Sequence, residues 1–311
     1  MWFLFTLLCT AAWGVADLFY KKGNTPDEKL SHLKTSVFVG AVMGAHALFL
    51  LVRSGFDYDF RNILVYLPVS SMYILSMTLG YFGLRYLELS VSSPVQNTSG
   101  AIVCILCLVF LGETLDLISG IAVVLICAGV FLLGLFEYLE SAKDSLPGDE
   151  KYRRSFKAFL FPILYCIFDA LGTFFDAWYL DDYEKTPLMG VTEETLEDAA
   201  EISYELTFFI CAVFLYIFIR CVKKEKLIVF RGTSLSRLAA ALFETAGQFF
   251  YVYAMSGNGA VAAPVVASYC MVSVILSRIL LREKLTWRKY AAIALAFAGI
   301  LMLGIAEGLA E

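Results

Sequence analysis

Ten long apolar runs, separated by short charged segments, restrict what this chain can fold into more than any other feature of its sequence. Of the 311 residues, 59% are apolar and only 17% are charged. A soluble domain mixes charged and apolar side chains along its helices and strands, so this segregation is typical of a chain whose solvent is a lipid bilayer. The sequence therefore predicts an all-α, polytopic membrane protein.

The lengths of these runs fit membrane-spanning helices. A hydrocarbon layer about 30 Å thick is crossed by roughly 20 apolar residues of helix. The ten predicted spans are 1–20, 35–52, 63–84, 89–112, 117–136, 158–180, 202–220, 238–255, 256–277 and 290–306. The first run has no basic leader and no convincing cleavage motif, and nine runs follow it. We interpret it as a retained helix rather than a secretory signal.

The positive charges predict an orientation. The gaps after the first, third, fifth, seventh and ninth spans hold 21 of the 24 lysine and arginine residues, and the other three are Arg53, Arg61 and Lys185. Loops rich in lysine and arginine stay in the cytoplasm. We therefore expect these gaps to be cytoplasmic, with both termini outside, in a multi-pass protein of the cell (cytoplasmic) membrane.

The longest gap on the opposite side is strongly acidic. It carries nine carboxylates against Lys185 alone, namely Asp181, Asp182, Glu184, Glu193, Glu194, Glu197, Asp198, Glu201 and Glu205. We interpret this gap, from Asp181 to Glu205, as a solvated acidic cap that includes an inserted loop at about 181–201. A role in concentrating cations near an entrance is the alternative.

The chain contains an internal repeat. A shift of 170 residues aligns identical residues without a gap, pairing Tyr81 with Tyr251, Pro94 with Pro264, Glu113 with Glu283, Gly129 with Gly299 and Gly134 with Gly304. A shift of 152 residues aligns Asp17 with Asp169 in the first helix of each half. Proline, glycine and glutamate have specific backbone or charge roles, so these matches indicate two related halves, 1–136 and 158–306, joined by a linker at 137–157.

Five helices in each half is an odd number. The second half must therefore enter the membrane from the side opposite to the first. This predicts ten transmembrane helices as two inverted five-helix repeats, a plan of many secondary transporters, which bind substrate near the midplane between the repeats.

Several motifs together resemble the EamA family of the drug/metabolite transporter superfamily. They are Pro94 and Pro264 near the start of the fourth helix of each half, Glu113 and Glu283 just past its end, the glycine pairs of the fifth helix, and Trp13-Gly14 in the first helix. The resemblance covers nearly the whole chain. It implies a ten-helix secondary carrier, from a family whose members move amino acids, metabolites, amines or nucleotide-linked sugars. The second half lacks a Trp-Gly pair, and the acidic insertion is longer than the family pattern.

Four carboxylates interrupt the apolar runs and are the main candidates for function. Ionised side chains deep in a span cost roughly 2.5–3.5 kcal/mol on insertion scales, so Asp17, Asp169, Asp176 and Glu244 are expected to face the interior of the bundle. Function is favoured for Asp169 and Glu244. The alternative is that these groups only hold neighbouring helices together through hydrogen bonds.

Other polar and aromatic residues share the faces of these carboxylates. Tyr165 lies four residues before Asp169, while Gln248 and Tyr251 share the face of Glu244. Gln96 and Asn97 follow Pro94, where freed donors could meet a substrate. The predicted substrate-binding residues are Asp169, Glu244, Asp17, Trp13, Tyr165, Gln248, Tyr251, Gln96 and Asn97.

For three further residues, the sequence favours structural roles. His46 lies near Gly40 and Gly44, so a buried, hydrogen-bonded histidine is at least as well supported as a proton relay. Glu113 and Glu283 are expected to anchor helix ends rather than bind solute. All eight cysteines lie in or at the end of apolar runs, which predicts neither a disulfide framework nor a metal quartet.

The absence of other motifs narrows the function. The sequence has no G-x-x-x-x-G-K-[ST] phosphate loop, no H-E-x-x-H, no G-x-S-x-G and no basic-aromatic face for nucleic acid. We expect no enzymatic activity, cofactor or bound metal, and partners limited to a small solute, the bilayer and a coupling proton or sodium ion, in a monomer or homodimer.

The prediction is a secondary transporter of a small amine, amino acid or other cationic or zwitterionic solute. The four carboxylates have no lysine or arginine at comparable depth, and an unpaired buried carboxylate must hold a proton or await a cation. A lipid-linked or nucleotide-sugar carrier, a flippase component and a non-transporting membrane sensor are the alternatives.

Overall fold

The computed structural model describes residues 2–143, 158, 160–227, 232–256, 259–283 and 285–310. Within these ranges the chain is built from helices joined by short connections, and no strand occurs. The predicted linker at 137–157 lies outside the described residues from position 144 onward. So do Arg153, Arg154 and Lys284, which contributed to the charge count.

Up to Lys143, the described part of the chain forms seven helices. They are α1 (Trp2–Gly23), α2 (Ser31–Arg53), the short α3 (Asn62–Val65), α4 (Leu67–Gly83), α5 (Leu89–Gln96), α6 (Ser99–Leu106) and α7 (Leu117–Lys143). A π-helical turn at Cys107–Leu111 continues α6, and Gly112 ends it in the left-handed conformation, with φ of 71°.

The described residues of the second half form six helices. They are α8 (Leu160–Leu180), α9 (Leu196–Ile217), α10 (Thr233–Met255), α11 (Gly259–Ala267), α12 (Tyr269–Leu276) and α13 (Trp287–Ala310). π-Helical turns at Phe218–Val222 and Ser277–Leu281 continue α9 and α12.

Eight helical segments in the described part of the chain are long and apolar enough to cross a membrane. They are Trp2–Gly23, Ser31–Arg53, Leu89–Leu111, Leu117–Phe136, Leu160–Leu180, Leu196–Val222, Gly259–Leu281 and Trp287–Ala306. The sequence predicts ten. The two further segments form helices, but α4 has only 17 residues and α10 carries Arg237 and Glu244 within its length. The chain is therefore a multi-pass membrane protein with at least these eight apolar spans.

Proline interrupts two of these spans at equivalent points. Pro94 lies in α5, which ends two residues later, and Pro264 lies in α11, which ends three residues later. Proline cannot donate the backbone hydrogen bond of its turn and crowds the preceding one. Both spans are therefore broken in their middle. The span Gly259–Leu281 is also the most enclosed, with 83% of its apolar window buried.

The two halves are interleaved rather than separate. α1 packs along α10, α2 along α9, α4 along α8, α6 against α11, and α7 along α13. Each pair joins one helix from the first half to one from the second. The space that these pairs enclose therefore receives side chains from both halves.

The acidic segment is shorter than predicted because α9 begins at Leu196. Glu193 and Glu194 are exposed, as expected for a solvated cap. Glu201 and Glu205 are instead only 2% and 0% exposed. The prediction of a solvated position is wrong for these two residues, since they lie on the helix face that packs against α2.

Candidate functional site

A central cavity lies at the meeting point of helices from both halves. Its lining comes from α1, α4, α5, α6, α8, α9, α10, α11 and α12. The space within it that can hold the centre of a water molecule is about 60 Å³. The two broken spans contribute Gln96, Asn97, Ser99 and Tyr269 beside their interruptions.

All nine residues that the sequence predicts for substrate binding line this one cavity. They are Trp13, Asp17, Gln96, Asn97, Tyr165, Asp169, Glu244, Gln248 and Tyr251. Asp176, the fourth embedded carboxylate, is not among the lining residues. It is buried and accepts a hydrogen bond from the Tyr66 hydroxyl. The structure therefore separates Asp176 from the other three.

Asp17 connects three helices. Its Oδ2 atom accepts hydrogen bonds from Ser93 Oγ at 2.5 Å and from Ser273 Oγ at 2.7 Å. Ser93 belongs to α5 and Ser273 to α12, so the carboxylate of α1 joins both broken spans. Asp17 is 7% exposed. This arrangement gives Asp17 a structural role as well as a position at the cavity wall.

Asp169 is the more accessible aspartate of the cavity. Its Oδ2 atom accepts a hydrogen bond from Ser99 Oγ at 2.7 Å. Unlike Asp17, Asp169 is only half-buried, with part of its surface facing the cavity. A solute that enters the cavity can therefore reach this carboxylate without breaking a contact between the two broken spans.

Glu244 lies against α1 at the wall of the cavity. Its Oε2 atom accepts a hydrogen bond from the Tyr20 hydroxyl at 3.1 Å. The indole Nε1 of Trp13 donates to the Glu244 backbone carbonyl at 3.2 Å. These two contacts fix α1 against α10 and orient the Trp13 ring along the wall.

The cavity is strongly unbalanced in charge. Among the described residues, three carboxylates line it, and no lysine or arginine does. Two carboxylates approach from the first helices of the two halves, and the third comes from α10. Because unpaired charges are costly to bury, such a wall favours a positively charged occupant or bound protons.

Aromatic rings form much of the remaining wall. In the described part of the chain, the lining includes Trp13 and seven tyrosines, at positions 20, 73, 81, 165, 204, 251 and 269. The Trp13 ring lies 5.0 Å from Tyr251 and 5.8 Å from Tyr269, measured between ring centroids. Ring faces attract cations through their quadrupole. The rings and the carboxylates therefore favour the same kind of ligand.

Tyrosine hydroxyls link opposite sides of the cavity. Tyr73 forms hydrogen bonds with Tyr251 at 2.7 Å and with Thr173 at 2.8 Å. Tyr81 has a buried hydroxyl without a hydrogen-bond partner. Its ring lies against that of Tyr20, with 4.5 Å between the ring centroids.

Seven lining residues with polar side chains are not among those that the sequence predicts to bind substrate. They are Tyr20, Tyr73, Tyr81, Ser99, Thr173, Tyr204 and Tyr269. Ser99 belongs to the polar stretch after Pro94, which was a usable signal. Tyr73 and Tyr204 lie in helices whose apolar pattern distinguishes no inward face, so only the packing reveals them.

Comparison with known proteins identifies the family. The model of the EamA-like transporter family matches residues 1–135 and 205–305. The chain belongs to the EamA-like transporter family. The resemblance inferred from Pro94, Pro264, Glu113 and Glu283 is thereby confirmed.

The wider comparisons concern the fold alone. No curated protein matches this EamA-like chain. One solved crystal structure is similar over 99% of this chain and 98% of that one, with a TM-score of 0.64 and 12% sequence identity. At that identity the likeness describes the fold and not the solute. In this EamA-like protein, the solute must be inferred from the cavity.

Proposed function

We propose that the protein is a secondary transporter that binds a small cationic or zwitterionic amine in the central cavity. The observation that carries the proposal is the composition of the lining, with three carboxylates, eight aromatic rings and, among the described residues, no basic side chain. Family membership supports membrane transport of the drug/metabolite type. The class of solute is inferred from the side chains that line the cavity.

The proposal includes ten membrane helices in two inverted repeats, 1–136 and 158–306. In this arrangement α4 and α10 join the eight apolar segments as the remaining spans. Both contribute residues to the wall of the cavity. The repeat is supported by the positions of Pro94 and Pro264, which interrupt two spans that pack against one another beside the cavity.

Asp169 and Glu244 are the proposed charge partners of the amine. Asp169 and Glu244 both line the cavity, and Glu244 lies beside Trp13. An ammonium group that enters between them exchanges its water shell for carboxylate oxygens and ring faces. An anionic solute such as a nucleotide sugar meets like charges instead, and the cavity therefore disfavours it.

Competition for these carboxylates provides a mechanism of coupling. A buried carboxylate without a cationic partner is stabilised by a proton. When the amine binds, its positive charge replaces that proton, and the proton leaves on the side from which the amine came. Return of the empty carrier with a proton then couples amine movement to a proton gradient across the cell membrane.

The test is transport in proteoliposomes that contain the purified protein. A set of radiolabelled amines, amino acids and nucleotide sugars is first screened by thermal shift, and the strongest ligand is then used for uptake. We expect an imposed proton gradient to drive uptake of a cationic or zwitterionic ligand. Asp169→Asn and Glu244→Gln should each reduce concentrative uptake by at least about tenfold, or about 1.4 kcal/mol.

The matched control is Glu194→Gln, which removes an equal charge from the exposed loop. Each variant must melt within a few degrees of the native protein to count. Normal uptake by both cavity variants contradicts the role of the carboxylates. A thermal shift produced by anions alone contradicts the amine proposal.

A further inference from the structure

A second polar cluster lies between α2 and α9, away from the central cavity. His46 Nδ1 is 2.9 Å from both carboxylate oxygens of Glu205 and 3.7 Å from Glu201 Oε1. One ligand atom from each of the three residues lies within 4.8 Å of the other two. None of the three lines the central cavity.

Close helix packing brings these residues together. A methyl group at Gly40 would overlap the Phe208 carbonyl oxygen and lie 2.6 Å from Ala212 Cβ. A methyl group at Gly44 would overlap the ring of Phe209. The two glycines therefore let the backbones of α2 and α9 approach closely, just before His46.

The cluster is deficient in positive charge. Glu201 is 2% exposed and Glu205 is fully buried, at the i and i+4 positions of one helix face. Among the described residues, His46 is the one basic side chain within ion-pair distance of either glutamate. Two buried carboxylates that share one imidazole require further positive charge in an apolar setting.

One carboxylate oxygen of the cluster has no hydrogen-bond partner. Glu201 Oε1 is buried and has no hydrogen-bond partner, and this is the oxygen that faces His46. A buried acceptor without a partner costs about 1–3 kcal/mol. The unpaired oxygen, the second carboxylate and the imidazole nitrogen converge on one point, as the ligands of a metal ion do.

We propose that His46, Glu201 and Glu205 form a binding site for one divalent transition-metal ion. Imidazole nitrogen and carboxylate oxygen are both common ligands of Zn²⁺, and three protein ligands leave a fourth position for water. Mn²⁺ and Fe²⁺ accept the same mixed set, whereas Mg²⁺ and Ca²⁺ favour oxygen alone. A bound ion neutralises both carboxylates and ties α2 to α9.

The nearby acidic loop supplies a reason for cations to accumulate at this end of the protein. Glu201 lies about one and a half turns from the start of α9. Glu193 and Glu194, in the loop before that helix, are exposed. A concentration of negative charge raises the local concentration of cations. His46 has 24% of its side chain exposed, which leaves an edge of the cluster accessible.

The test is metal binding by the purified full-length protein. Equilibrium dialysis against Zn²⁺ should give one equivalent bound that excess Mg²⁺ does not displace. His46→Gln, Glu201→Gln and Glu205→Gln should each weaken binding by at least about tenfold, which is the loss that even an outer-shell partner can produce. The chain has only two histidines, so His32→Gln is the matched control for the imidazole. Asp198→Asn is the control for a carboxylate on α9.

A second measurement is independent of variants. Zn K-edge X-ray absorption should show nitrogen and oxygen ligands with one imidazole, and the Co²⁺-loaded protein should lack thiolate charge-transfer bands. Thiolate bands would place the metal at cysteines and overturn the proposal. So would the absence of stoichiometric binding, or binding that is equal in native protein and in folded His46→Gln.

Discussion

Glu113 caps the helix that begins beside Ala260. Its Oε2 atom accepts a hydrogen bond from the Ala260 N–H at 2.6 Å, and its Oε1 atom accepts one from the Gly259 N–H at 3.2 Å. The first backbone N–H groups of a helix have no partner within it, and a carboxylate there also favours the helix dipole. Glu113 therefore ends one broken span and stabilises the start of the other.

Glu283 makes the reciprocal contact. It accepts hydrogen bonds from the N–H groups of Leu89 at 3.1 Å and Ser90 at 3.0 Å. Leu89 and Ser90 precede Gly259 and Ala260 by 170 positions, and Glu113 precedes Glu283 by the same number. The contacts agree with the expectation that Glu113 and Glu283 anchor helix ends rather than bind solute.

Removing either charge should destabilise the protein. Hydrogen bonds to charged groups contribute about 1.5–3 kcal/mol, and glutamine keeps only one acceptor oxygen. Glu113→Gln and Glu283→Gln should therefore each lower the melting temperature in detergent, and the double variant should lower it further. Glu194→Gln, on the exposed loop, is the control. Equal melting of all four proteins would mean that these caps contribute no stability.

A cluster of hydrogen bonds at Glu28 predicts that the stability of the folded protein depends on pH. Glu28 pairs with Arg237, accepts from Lys34 Nζ at 2.8 Å and accepts from Thr233 Oγ1 at 2.9 Å. Arg237 is 1% exposed and also donates to the Gly23 carbonyl at 2.7 Å. The cluster thus joins the end of α1 to the starts of α2 and α10.

Burial of Glu28 opposes its ionisation, but the hydrogen bonds from Arg237 and Lys34 outweigh it and hold the pKa at about 2, below its ordinary 4.5. A lowered pKa in the folded state stabilises the protein above the unfolded pKa, and this stability is lost as the pH falls toward 2. Melting temperatures measured from pH 6 to pH 3 should therefore fall more steeply for the native protein than for Glu28→Gln. Parallel curves would mean that Glu28 does not contribute to the loss of stability at low pH.

All nine residues that the sequence predicts for the candidate site line one cavity, whereas several predicted helix ends differ from those in the structure. Asp17, Asp169 and Glu244 could be predicted to face the interior, because exposing a charged side chain to lipid within an apolar run is costly in free energy. Glu201 and Glu205 were predicted to be solvated, because acidic residues at the edge of a span resemble a loop when the partner helix is not known. Burial against His46 depends on packing with α2, which no local pattern encodes.

The orientation is testable by chemical labelling. We expect the segment after α9 to be cytoplasmic and the acidic loop before it to be outside, because the basic residues concentrate on one side. Single cysteines at Lys226 and at Glu194, both exposed, can be introduced into a cysteine-free background. An impermeant maleimide should label position 194 in intact cells, and position 226 only after the membrane is opened. The reverse pattern would invert the topology.

In the proposed mechanism, the ring of Trp13 faces the cationic ligand. Trp13 packs directly on Gly247, where a methyl group would lie 3.0 Å from its Cγ atom and closer still to Cδ1 and Nε1. Gly247→Ala must therefore displace the indole, break its hydrogen bond to the Glu244 carbonyl and move it from its place 5.0 Å from Tyr251. The carboxylates keep their charge in this variant.

If Trp13 contacts the amine through its ring face, Gly247→Ala and Trp13→Leu should weaken binding of a quaternary ammonium ligand by a similar factor. The loss should be about 0.5–2 kcal/mol, measured by titration of the purified proteins. Gly120→Ala is the control, because a methyl group there meets no atom closer than 3.9 Å. Unchanged affinity in Trp13→Leu would exclude the ring from the site. A loss in Gly247→Ala alone would show that the close helix contact matters, and not the indole.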